Sequence, residues 1–187
     1  MATCTNGVWR VTGSTPDAGV GDDSGGNDSG GPASCLGSVT FRVVPGTTPY
    51  CENLQCQWPN LVTILSASAQ ALTTSRNTNG CYLVDCSTCQ GGGCSGACPA
   101  PISLPDGGTD ESWDGTVWTA GGTCASSGAM CSVQSCAPAG QYTARMCAYG
   151  SGADAGGCSG QSTSSTPICV DVPFTYPTQG PVVGMLP

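Results

Sequence analysis

The 187-residue sequence predicts an all-β fold, an antiparallel β-sandwich of about seven or eight short strands, rich in disulfides and carrying long loops. Three observations lead there. The composition is dominated by small and turn-forming residues: 29 Gly and 14 Pro stand against 2 Phe, 4 Trp, 5 Tyr and 4 Met. That is the make-up of short strands joined by turns, not of long helices. The apolar residues recur with period two, the spacing of a strand with one buried face. Finally, 15 cysteines are too many for a reducing compartment without metal or catalysis to explain them. In an oxidising one they form a disulfide framework, each bridge contributing about 2–4 kcal/mol to a thin core.

Residues 1–12, around CTNGVWRV, read as an N-terminal strand or a fragment of an upstream cysteine-rich unit. Fifteen is odd, so at least one thiol is left over, and Cys4 is the expected one, unpaired, lipidated or paired upstream. Residues 13–34, GSTPDAGVGDDSGGNDSGGPAS, read as a flexible acidic linker with too little apolar surface to order itself. A calcium site on Asp17, Asp22, Asp23, Asn27 and Asp28 is the sharper alternative. The alternating acids and closing glutamate of an EF-hand loop are missing.

The sandwich is expected over residues 35–187. Val39, Phe41 and Val43 alternate with Thr40 and Arg42, predicting a half-buried strand closed by Pro45-Gly46 and Pro49. Leu61 to Ala69 predicts a second strand, with a helical turn as the alternative for its Ser-Ala end. Cys81 to Asp85 and Pro101 to Leu104 predict two short ones. Ser112 to Thr119 reads as strand residues around an Asp114-Gly115 turn. Gln141 to Tyr149 alternates cleanly. Ile168 to Tyr176 alternates until Pro173, which predicts a bulge or an edge position. Pro181 to Leu186 predicts the last strand. Two glycine- and serine-rich inserts, 86–100 and 150–167, are the long loops, tied down by their cysteines.

Trp113-Asp114-Gly115, followed by Pro138-Ala139-Gly140-Gln141-Tyr142-Thr143, resembles the W-D-G … P-x-G-x-Y pattern of bacterial Ig-like β-sandwich modules, such as the hook-capping-protein-like and BsuPI-like domains. The wider layout is similar to cysteine-rich secreted or lipoprotein-type proteins of myxobacteria. The resemblance implies an Ig-like sandwich, with Trp113 as core anchor and Tyr142 packing its ring inward. It implies no activity.

The chain has no histidine, and its 4 basic residues are all arginine. A Ser-His-Asp hydrolase is thereby excluded, together with lysine Schiff-base chemistry. A net charge of −8 leaves no basic footprint for nucleic acid. No apolar run is long enough to span a bilayer. The densest cysteine cluster is Cys81, Cys86, Cys89, Cys94 and Cys98. Structural bridges are the expected reading, with zinc or disulfide exchange at Cys86-x-x-Cys89 as alternatives. Asp106, Asp110, Glu111 and Asp114 are the only clustered carboxylates outside the linker. With Trp113, Trp118 and Trp58 they invite a sugar site, against the plainer expectation of a solvated turn beside a core tryptophan.

The expectation is therefore a non-enzyme with no catalytic, metal or cofactor residues, exported to the cell surface or beyond it. Its signal segment is expected to lie outside this chain. It would act in adhesion, assembly or matrix contact through a protein or polysaccharide partner. A disulfide-rich protease-inhibitor-like domain, using residues 86–100 or 120–137, is the first alternative. A carbohydrate- or metal-binding domain is the second.

Overall fold

A computed structural model describes residues 2–5, 8–11, 35–48, 50–52, 60–75, 77–78, 81–92, 102–150 and 166–187. The chain divides by contacts into two units, Met1–Pro32 and Ala33–Pro187. In the first, β1 (Ala2–Thr5) pairs antiparallel with β2 (Val8–Val11). The linker expected at 13–34 lies outside the described residues.

The second unit is all-β, and no helix occurs among the described residues. Its strands are β3 (Val39–Val44), β4 (Tyr50–Glu52), β5 (Val62–Leu65), β6 (Asn77–Thr78), β7 (Cys81–Tyr82) and β8 (Ile102–Ser103). There follow β9 (Thr109–Trp113), β10 (Thr116–Thr123), β11 (Met130–Cys136), β12 (Gly140–Gly150), β13 (Ile168–Tyr176) and β14 (Val182–Met185). One sheet runs β13-β12-β4-β8, with β5 also paired to β12. A second runs β14-β3-β9. β10 and β11 form a separate ribbon, and β6 pairs with β7.

Period two explains which faces are buried. On β3, Val39, Phe41 and Val43 are 0–1% exposed while Thr40 and Arg42 face solvent. On β12, Tyr142, Ala144, Met146 and Ala148 point the same way into the core. Residues of both large sheets fill this one core. Phe41 of β3 meets Phe174 of β13 edge-on at 5.4 Å, and Trp113 of β9 packs 6.0 Å from Tyr142 and 4.9 Å from Tyr176. Such ring pairs add about 0.5–1.5 kcal/mol beyond their area. The polar ends of the rings are matched: Trp113 Nε1 donates to Thr116 O at 2.7 Å, Tyr142 Oη to Pro138 O at 2.8 Å, and Tyr176 Oη to Gly37 O at 3.1 Å.

The turn expected at Asp114-Gly115 is present. It joins β9, which pairs with β3, to β10, which pairs with β11, and so passes the chain from a sheet to the ribbon. Asp114 Oδ1 accepts from Thr116 N at 2.9 Å and from Thr116 Oγ1 at 2.6 Å, and Gly115 takes φ +82°. The end of the Leu61–Ala69 run is a tight reversal rather than a helical turn. Ser66 N donates to Gln70 O, Ala69 N donates to Ser66 O, and Leu65 bridges to Ala71. Pro173 does sit on an edge strand, since among the described residues β13 pairs only with β12. Among the described residues one strand pair is parallel, β14 with β3.

Candidate interaction surface

The insert between Trp113-Asp114-Gly115 and Pro138 builds the most elaborated surface feature. β10 and β11 pair from Thr116↔Cys136 to Thr123↔Met130, with a bulge between Ala120 and Gly122. A bulge twists a ribbon and frees one residue from the ladder. That residue is Gly121, and its lack of a side chain matters: a Cβ there would sit 2.5 Å from both Cys86 Sγ and Val133 Cγ2.

The segment 82–92 meets the other edge of β11 at Val84–Cys86. Ser132 N donates to Val84 O at 2.7 Å, and Cys86 N donates to Ser132 O at 3.0 Å. The segment folds back through the turn at Asp85–Gln90, where Asp85 Oδ1 accepts from both Ser87 N and Ser87 Oγ. Two disulfides fix it to the ribbon, Cys86–Cys131 and Cys89–Cys124, with Cα separations of 5.0 and 5.7 Å. A third, Cys35–Cys136, ties the ribbon base to the residues before β3 across a sequence separation of 101. The fourth, Cys147–Cys169, joins register partners on β12 and β13. Cys51 is disulfide-bonded as well.

Both cysteines of the C-x-x-C motif therefore bridge outward to the hairpin. They neither pair with each other, as disulfide exchange requires, nor keep the thiolates that zinc requires. Cys56, Cys94, Cys98 and Cys158, and the side chains of Cys4 and Cys81, lie outside the described residues. Among the described residues no group of His, Cys, Asp and Glu side chains is placed to hold a metal ion, and no helix is long and apolar enough to cross a membrane.

Beyond its base the ribbon is largely solvent-facing, apart from the bridged and buried Cys124 and Cys131. Trp118 is buried, but residues 119–123 are exposed, Met130 is 69% exposed, and Tyr82 on the stapled segment is 50% exposed. In the sequence, 120–137 stands out only as a segment an inhibitor-like domain would use. The strand β11, MCSVQSC, shows no period-two apolar face because only Cys131 in it is buried, as expected for a ribbon outside the main core.

The clustered carboxylates do not assemble. Successive strand residues point to opposite faces. On β9, Asp110 is on the outer face, with Oδ2 3.7 Å from Arg42 Nη1, while Glu111 shares the inner face with its register partner Phe41. Asp114 is occupied in its turn and Asp106 lies in the exposed loop before β9. Trp113 and Trp118, at 4% and 9% exposure, offer no open ring face to a sugar. Trp58 lies outside the described residues. Glu111 is exposed on its edge strand, yet partial desolvation raises its pKa above the ordinary carboxylate value.

No family model, no curated protein and no solved structure matches this chain.

Proposed function

We propose that the chain is a non-enzymatic extracellular binding module, an Ig-like sandwich that presents its disulfide-stapled ribbon to a protein or polysaccharide partner at a surface or in a matrix. The observation that carries this reading is the ribbon itself. Two bridges and a backbone ladder hold in place a feature that contributes little to the core and leaves Met130 and Tyr82 exposed. Pre-ordering of this kind lowers the entropy cost of binding, and Met and Tyr are enriched at interfaces. The disulfides favour an oxidising, extracellular setting. The Ig-like assignment draws support from Tyr142, whose hydroxyl reaches back to Pro138 O four residues upstream, as in the tyrosine corner of such sandwiches.

The inhibitor reading finds less support. An inhibitory loop lies extended in a protease cleft. The ribbon tip is instead curled, with Gly128 N and Ser127 N both donating to Cys124 O, and the 85–90 turn is curled likewise, with Cys89 at φ +54°.

The test is biolayer interferometry with the oxidised chain against fractionated cell-surface protein and polysaccharide. Saturable binding that weakens about tenfold, roughly 1.4 kcal/mol, in Met130→Asp is expected. Absence of saturable binding, or binding unchanged by that substitution, contradicts the proposal.

A further inference from the structure

A second surface is separate from the ribbon. The outer face of β3 and β9 and the segment after β13 line a shallow groove that includes Ser38, Thr40, Arg42, Asp110, Gln179 and Gly180. The alternation that buries Val39, Phe41 and Val43 turns Thr40 and Arg42 toward it, opposite Ser112 and Asp110.

The Arg42 guanidinium is oriented from one side, where Nη2 donates to Gly107 O at 2.9 Å. Its Nη1 stands 3.7 Å from Asp110 Oδ2. That is an ion pair, but it exceeds hydrogen-bond reach, so a donor and an acceptor both remain available to the groove. Ser38, Thr40 and Gln179 line the same groove and bring further donors and acceptors to it. A Cβ built on Gly180 meets nothing within 4 Å, so that end of the groove has room.

The charges select the ligand class. Arg42 and Asp110 cancel locally, Asp110 repels anions, and the chain as a whole carries −8. A lone base beside an acid suits neither nucleic acid nor an acidic polymer. Alternating donors and acceptors around a neutralised pair suit vicinal hydroxyls, one donating to the carboxylate and the next accepting from the guanidinium.

We infer that this groove binds a neutral saccharide through the Arg42–Asp110 pair. No aromatic ring stacks there, so affinity is weak, in roughly the millimolar range. The inference identifies a site and a ligand class additional to the ribbon.

The experiment titrates the uniformly labelled, oxidised chain with maltotriose, cellotriose and laminaritriose and follows amide shifts. Saturable shifts at Thr40, Asp110 and Gln179 with at least one trisaccharide are expected. They should weaken about tenfold in the double variant Thr40→Ala/Asp110→Ala, whose unfolding midpoint and disulfides stay as in the parent. Met130→Asp should leave the titration unchanged, which separates this inference from the ribbon. No saturable shift with any of the three sugars, or shifts undiminished in the double variant, overturns it.

Discussion

Gly115 and Glu111 each answer a local constraint that their neighbours set. Gly115 takes φ +82°, and any Cβ there would run into the Tyr176 hydroxyl. The backbone conformation alone costs a non-glycine residue about 1–3 kcal/mol, and the overlap adds to it. Gly115→Ala should therefore lower stability by at least that amount in urea unfolding of the oxidised chain. Glu111 points inward from an edge strand, a placement that discourages further strands from adding to the sheet. Because its folded pKa is raised, the folded state binds its proton more tightly than the unfolded chain does. Stability from this group is thus complete below the unfolded carboxylate value and falls as pH rises through the folded one. Glu111→Gln should raise stability at neutral pH, with the gain vanishing in acid. Asp171 behaves in the opposite sense. Its hydrogen bond from Arg145 lowers its pKa, so its contribution is present above the ordinary carboxylate value and is lost as pH falls through the lowered one. Both partners are about half exposed, so solvent screening keeps that contribution small. Unfolding midpoints measured across acid pH distinguish the two behaviours.

Among the strands, β3, β12, β13 and β14 were legible because each buries one face, and burial writes period two into the residues. The ribbon was not. Asp114-Gly115 has hairpin chemistry, but tertiary pairing assigns β9 and β10 to different partners, which local turn preference does not encode. Cysteine connectivity was likewise illegible, since spacing along the chain says nothing about which sulfurs meet. Once placed, the bridges are unequal. In the chain-entropy account, closing a separation of 101 residues at Cys35–Cys136 contributes about 4–5 kcal/mol, against about 3 for 22 residues at Cys147–Cys169. The latter joins strands already held by a ladder. Replacing Cys35 and Cys136 together by Ala should lower the urea midpoint more than replacing Cys147 and Cys169 together. The reverse order would assign the stabilisation to native-state contacts instead.

For the whole molecule, a small aromatic core is shared by two sheets, and disulfides extend its reach to segments the core does not touch. That division of labour explains how a chain with 2 Phe and 29 Gly supports an ordered ribbon outside its two larger sheets. It also explains why the candidate site was only partly legible. Sequence located the cysteine-rich inserts, but their role depends on Cys86 and Cys89 crossing to Cys131 and Cys124. The most direct test is disulfide mapping by mass spectrometry of the unreduced, proteolysed chain. Cross-linked peptides joining Cys86 to Cys131, Cys89 to Cys124, Cys35 to Cys136 and Cys147 to Cys169 are the predicted result. A Cys86–Cys89 link, or free or metal-bound thiols at those two positions, would contradict the stapled ribbon.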